Sequence, residues 1–204
     1  MNFLSEQISL EDAFAIEQLV KAIARPRMRV AELGTFTGRS ALAMLPTVDT
    51  FDGHLIAVDW FRGNVGVDEA PLGRDYQAND VLTLLRQNIR EAGLEDRFTL
   101  MIGSTQTVAP LIADASLDAL FFDADHRYTP MRQDLDAWLP KLRPGGLAFG
   151  HDFECHVSEV DRFFLLANSE TDFVNGRHYG VIRAVSERFP NVRREGRIWW
   201  SQVE

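Results

Sequence analysis

Arg29-Val30-Ala31-Glu32-Leu33-Gly34-Thr35-Phe36-Thr37-Gly38-Arg39-Ser40 runs from a short apolar segment through two glycines into a helical pattern. The first five residues read as a strand that Gly34 ends, and Ser40 to Leu45 as a short helix that Pro46 stops. A glycine turn between strand and helix lets backbone approach a bound molecule closely, and the helix start offers free amide donors. The next apolar run, His54 to Asp59, enters through Gly53 and leaves on a carboxylate able to accept hydrogen bonds from ribose hydroxyls.

The same alternation continues in both directions. Residues 1–27 hold an N-terminal helix, with Ser9 and Asp12 spaced as a capping pair, Phe14, Ile16, Leu19, Val20 and Ile23 on its apolar positions, and Pro26 as its stop. Val81, Leu85 and Ile89 line a later helix that closes at Gly93, and Met131, Leu135, Trp138 and Leu139 line another. Phe98 to Ile102, Leu117 to Phe122 and Leu147 to Gly150 are the third, fourth and fifth strands. The long connection from Trp60 to Asp80 holds Gly63, Gly66, Pro71 and Gly73, and its length favours a functional loop. Residues 153–177 read as an insertion and candidate lid with an apolar stretch at Phe163 to Leu166, followed by a helix from Tyr179 to Phe189. A Glu195-Gly196 turn then separates Val192-Arg193 from Ile198-Trp199-Trp200, an antiparallel hairpin whose tryptophans are expected at the sheet edge. Strands alternating with helices specify an α/β domain, a parallel sheet covered by helices on both faces.

Composition narrows the function. The chain of 204 residues suits one domain, 1–204, and its 46% hydrophobic and 25% charged content is that of a globular protein. A formal charge of −9 repels phosphate backbones, so no nucleic-acid partner is expected. No apolar run is long enough to span a bilayer, and Met1 to Glu6 lacks a secretory pattern, so no membrane partner and a cytoplasmic location are expected. A single cysteine, Cys155, excludes an internal disulfide and a cysteine-built zinc site. Four tryptophans and fourteen phenylalanines leave enough apolar surface for a homo-oligomer.

Two nucleoside ligands suit the first turn. A dinucleotide site wants a middle glycine to admit pyrophosphate, but position 36 is Phe36, and only Gly34 and Gly38 are present. Glu32-x-Gly34-x-x-x-Gly38 with Asp59 resembles the class I S-adenosylmethionine-dependent methyltransferases. That resemblance implies a Rossmann-like, doubly wound, seven-stranded sheet of order 3-2-1-4-5-7-6, with the final hairpin supplying the antiparallel strand. It implies that the turn of Glu32, Gly34, Thr35, Phe36, Gly38 and Ser40 wraps the methionine part of S-adenosyl-L-methionine. Asp59 would hold the ribose, and Gly103-Ser104 would lie near the adenine; Trp60 and Asp123 join the cofactor side.

A second constellation follows the later strands. Asp123, Asp125 and His126 come after the fourth, and His151-Asp152 after the fifth, one helical crossover away, so their strand ends should converge at one rim. Carboxylates and imidazoles crowded there call for a divalent cation or a proton-transfer role. Asp123, His151 and Asp152 are the candidate ligands: the carboxylates favour magnesium or manganese, and the histidine admits iron, nickel or zinc. The run Asp123-x-Asp125-His126-x-Tyr128, then Leu139-Pro140-x-Leu142-x-Pro144-Gly145-Gly146, then His151-Asp152, is similar to the metal-dependent sugar and natural-product O-methyltransferases and the cephalosporin hydroxylase-like group. The sugar enzymes usually carry an acidic residue where this chain has His151.

The resemblance implies metal-assisted O-methylation of a small hydroxylated acceptor, such as a sugar or natural product. Asp125 and His126 are both candidate bases, with imidazole the better match near neutral pH. His156 and His178 stand in or beside the region that could cover the site, and Trp60, Phe61 and Tyr76 are candidates for its opposite wall. Two other classes remain: a catalytically silent cofactor-binding protein, and a nicotinamide-dependent oxidoreductase, against which the missing middle glycine weighs.

Overall fold

Strand β1 (Arg29–Leu33) is buried at four of its five positions and becomes the centre of the sheet. A computed structural model describes residues 8–63 and 78–203. Gly66, Pro71, Gly73 and Tyr76 of the Trp60–Asp80 connection lie outside the described residues. Strand β2 (His54–Asp59) pairs with β1 in parallel, and β3 (Phe98–Ile102) pairs with β2. On the other side, β4 (Leu117–Phe122) pairs with β1, and β5 (Leu142–Gly150) with β4, also in parallel. The hairpin of β6 (Arg193–Glu195) and β7 (Ile198–Gln202) closes the sheet antiparallel to β5. The seven-stranded order is β3-β2-β1-β4-β5-β7-β6, the Rossmann-like order that the methyltransferase resemblance implied.

Alternation along the strands separates two cores. Val30, Ala57, Ala119, Phe121 and Phe149 face helices α1 (Leu10–Ala22), α2 (Arg39–Thr50) and α3 (Ala78–Glu91). Ala31, Val58, Leu120, Phe122 and Ala148 face the opposite layer, which includes α4 (Thr105–Val108), α5 (Tyr128–Trp138), α6 (Arg162–Asn168) and α7 (Tyr179–Arg188). Strand β4 is buried at every position because side chains from both layers cover it.

Several expectations need correction. Pro46 lies inside α2, which continues to Thr50; a proline forfeits one amide donor, and burial of Val48 and the Thr50 hydroxyl bonded to the Pro46 carbonyl hold the last turn. Phe14 is 60% exposed, not in the core. The apolar stretch at Phe163 to Leu166 forms part of α6, yet only Leu165 is buried. Strand β5 starts at Leu142, before the glycines, through an irregular register against β4. Trp199 is not an edge residue: it is fully buried, its ring 5.8 Å from Phe122 and 5.7 Å from Phe189.

No helix among the described residues is long and apolar enough to cross a membrane.

Candidate functional site

Register brings the carboxyl ends of five strands together. Leu33 stands opposite both Val58 and Phe122, Asp59 opposite Ile102, and Phe122 opposite Gly150. Gly34, Asp59, Gly103, Asp123 and His151 therefore share one rim, where open α/β sheets place ligands.

The first turn is held from below. Gly34 has φ +81°, and its amide donates to the Val58 carbonyl at 2.8 Å. The Asp123 backbone crosses so close that a Cβ on Gly34 would sit 2.1 Å from the Asp123 carbonyl oxygen. The Asp59 carboxylate accepts the amides of Thr35 (3.0 Å), Phe36 (2.9 Å) and Phe61 (2.7 Å). Asp59 thus shapes the turn, with about one of its four acceptor directions left for a ligand hydroxyl. Gly38 caps α2 in the left-handed region, packed under Leu85, and Trp60 is half-buried beside Asp59. Gly103 donates to the Asp59 carbonyl at 3.0 Å, while the Ser104 hydroxyl accepts the Thr107 amide as the cap of α4.

Glu32 is fully buried, with one oxygen accepting the Ser40 hydroxyl. Its other oxygen and the Thr35 hydroxyl are buried close to one another, with no further hydrogen-bond partner. Burial pushes the Glu32 carboxyl up to about 8, and the nearby Asp123 and Asp59 add to the rise. An unfolded glutamate titrates near 4.5, so between about 4.5 and 8 the folded chain holds a proton that the unfolded chain has lost. The stability from Glu32 is therefore complete at low pH and falls as pH rises, by up to about 1.4 kcal/mol per unit, until the folded group ionises. Glu32→Gln should flatten this slope in urea denaturation curves taken across pH 5–8.

Three imidazoles meet two inner carboxylates on the other side of the rim. The Nε2 of His126 lies 3.3 Å from Asp152 and 3.7 Å from Asp123, and its Nδ1 lies 3.0 Å from Asp172. The Nδ1 of His151 lies 3.0 Å from Asp152 and 3.8 Å from Asp123, and its Nε2 lies 3.3 Å from Asp12. The Nδ1 of His178 lies 2.7 Å from Glu154 and 3.4 Å from Asp152. Burial alone would lower the His126 and His151 imidazoles, but Asp152 and the other carboxylates outweigh it. They hold His126 well above 6.5 and raise His151 to about 10. Burial likewise opposes ionisation of Asp152, yet His126, His151 and His178 keep it below the usual carboxylate range.

Asp123, His151 and Asp152 converge as the sequence implied, each offering a ligand atom within 4.8 Å of the others. Asp125 does not join them: its carboxylate is engaged by the Arg127 guanidinium at 3.0 and 2.7 Å. An aspartate two residues before an arginine is a local signal for that pairing, and it leaves His126 as the better-placed candidate base.

Asp12, Glu154 and Asp172 escaped the sequence reading as site residues. Asp12 caps α1 with Ser9, and on its other side meets His151 and Arg197, far along the chain. Glu154 and Asp172 lie on the segment expected to be an insertion. Gly180 on α7 also matters, because a Cβ there would meet the His126 carbonyl oxygen at 2.3 Å; α7 thus seats the His126 loop. Asp12→Asn should lower stability by about 1–3 kcal/mol in urea unfolding, since it weakens charge-assisted bonds to His151 and Arg197 while keeping the side-chain shape.

Comparison with known proteins agrees with this fold. Residues 31–153 match the family described as a methyltransferase domain, and the chain belongs to that family. Its fold is that of the class I S-adenosylmethionine-dependent methyltransferases. Among curated proteins it is similar to the uncharacterized protein y4gI of Sinorhizobium fredii, 32% identical over 139 residues that cover 67% of this chain; the match spans 14% of that relative's length. Among solved structures it resembles the O-methyltransferase TomG of Streptomyces achromogenes, involved in tomaymycin synthesis and solved with S-adenosylmethionine. The TM-score is 0.66 at 16% identity, over 97% of this chain and 82% of that one. It also resembles the S-adenosylhomocysteine-bound methyltransferase PaMTH1 of Podospora anserina. There the TM-score is 0.57 at 14% identity, over 93% of this chain and 76% of that one. At these identities the structural likeness is one of fold.

Proposed function

We propose that the chain transfers a methyl group from S-adenosylmethionine to a hydroxyl oxygen of a small acceptor, with a divalent cation held by Asp123, His151 and Asp152. One observation carries this reading. Asp123 is a shared wall, its backbone lying on the Gly34 turn while its carboxylate reaches toward His126 and His151. The donor turn and the ionisable cluster therefore border the same space.

The residues fit both groups. The Glu32 oxygen and Thr35 hydroxyl under the turn suit the amino-acid end of the cofactor, and the Asp59 and Asp123 carboxylates suit its positive charge. Two carboxylates and an imidazole suit a hard or borderline divalent ion such as magnesium or manganese. When bound, S-adenosylmethionine supplies the methyl group, and the cation supplies Lewis-acid activation and a fixed direction for the acceptor oxygen.

The chain's own residues then orient and deprotonate. The Gly34–Gly38 turn fixes the donor, and alignment of this kind is worth up to about 7–11 kcal/mol in favourable models. His126 takes the acceptor proton at Nε2, while Asp172 holds its Nδ1 and so fixes the ring. Asp123 and Asp152, which raise His126, are also the carboxylates that would hold the cation, and the cation would offset their charge there; Asp172 stays at Nδ1. Held by the Gly34–Gly38 turn, the cofactor would act as methyl donor and leave as its thioether. The −9 charge and the enclosed cluster favour a small molecule over nucleic acid as acceptor.

Calorimetric titration with S-adenosylhomocysteine and with NAD tests the cofactor; binding of the first and not the second is expected. Methyl transfer to a panel of sugars and phenols should then require magnesium or manganese. NAD binding would favour the oxidoreductase reading, and cofactor binding without transfer to any acceptor would favour a silent binding protein.

A further inference from the structure

His178 has no part in the mechanism above, yet it is buried and sits against the same inner carboxylate. Its ring packs edge-on against His126, centroids 4.7 Å apart, and Phe173 covers its other side at 4.9 Å. A ring nitrogen of His126, a ring nitrogen of His178 and an oxygen of Asp152 all lie within 4.8 Å of one another. This trio differs in chemistry from Asp123, His151 and Asp152, offering two nitrogens and one oxygen instead of one nitrogen and two. Magnesium and calcium prefer oxygen ligands, whereas imidazole-rich sets suit zinc, cobalt and nickel.

Outer contacts strengthen the distinction. Metal-bound histidines usually engage a carboxylate or carbonyl through the other part of the ring, which fixes ring orientation. His126 has Asp172 at its Nδ1, 3.0 Å away, leaving Nε2 aimed at Asp152. His178 is anchored by Glu154 at its backbone amide (3.1 Å) and at Nδ1 (2.7 Å), the same nitrogen that lies 3.4 Å from Asp152, so Glu154 borders the seat as a further oxygen and does not stand behind the ring. Asp152 itself has φ +60°, a left-handed conformation that places its carboxylate between the two histidines and His151.

We propose that His126, His178 and Asp152 form a second cation seat, selective for borderline transition metals of the zinc and cobalt type, whose occupation inhibits methyl transfer by taking the His126 Nε2. The seat stands on geometry alone; the inhibition rests on the reading of His126 as the proton acceptor.

Cobalt(II) titration of the full chain, followed by visible absorption, reads this seat directly, and zinc displacement of the cobalt signal confirms the ligand class. His178→Gln should weaken cobalt binding at least about tenfold, and Glu154→Gln should weaken it as well, because that carboxylate borders the seat and anchors the His178 ring. Circular dichroism establishes that each variant is folded, and the Glu154 variant serves if the His178 variant is not. A cobalt signal that is absent, or indifferent to both substitutions, overturns the seat. In parallel, zinc added to magnesium-supported turnover should inhibit over the concentration range in which it displaces cobalt. Zinc bound in a His178-dependent manner without loss of turnover upholds the seat, and overturns both the inhibition and the role of His126 as base.

Discussion

His126→Ala should reduce turnover by about 10²–10⁴-fold while leaving S-adenosylhomocysteine affinity essentially unchanged. The imidazole faces the inner carboxylates through Nε2, whereas the Gly34 turn rests on the Asp123 backbone, so removing the imidazole should touch proton transfer and not the cofactor. Asp125→Asn provides the contrast. Its carboxylate pairs with Arg127 and not with the cluster, so kcat should change far less than in the His126 variant. The pair of variants, measured at saturating cofactor with magnesium, separates the two candidate bases. Equal losses in both, or a larger loss at Asp125, would return the proton-accepting role to the aspartate.

Gly34→Val should cost about 3–5 kcal/mol of stability, a large share of what a domain this size possesses. Two effects combine. A β-branched residue is strained at φ +81°, and its Cβ would fall 2.1 Å from a backbone oxygen, which cannot rotate aside as a flexible side chain would. Relief requires the β1 and β4 ends to part, and that opens the wall shared by donor turn and cluster. Cofactor affinity should therefore fall together with stability. Gly93→Ala isolates the conformational part, since Gly93 has φ +69° with nothing within 4 Å of a built Cβ. Its cost should stay near 1–2 kcal/mol, about that of one left-handed non-glycine residue. Urea denaturation of both variants, with S-adenosylhomocysteine titration of the folded fraction, distinguishes local clash from general strain.

The strands were legible because short segments rich in apolar residues alternate with helical patterns; cover on both faces buries β1, β2 and β4, while β3, at the sheet edge, is only partly buried. Arg29–Leu33, His54–Asp59, Phe98–Ile102 and Leu117–Phe122 end where the sequence pattern ends. Helix ends were less so. Pro46 reads as a stop, yet tertiary burial of the turn beyond it outweighs one missing hydrogen bond. Phe14 is two residues out of step with the face that Ile16, Leu19, Val20 and Ile23 share on α1, and the structure accordingly leaves it exposed.

At the site, residues directly following strands could be placed in advance, because a parallel sheet aligns its carboxyl ends. Asp123, His126, His151 and Asp152 meet for that reason. Asp12 could not be placed: its capping role is local and visible, but its contact with His151 spans 139 residues and depends on how α1 docks. Glu154, Asp172 and His178 arrive through irregular chain, where no period predicts direction. Asp125 is the converse case: its place beside a candidate base was legible in the sequence, and its pairing with Arg127, two residues on, is what the structure adds.

An anomalous diffraction map from a crystal grown with S-adenosylhomocysteine and manganese addresses the shared pocket most directly. The manganese peak is expected in coordination contact with Asp123 and Asp152, with the cofactor sulfur on the Gly34 side of Asp123. A cofactor bound away from the Gly34–Gly38 turn, or manganese that avoids both aspartates, would contradict the account.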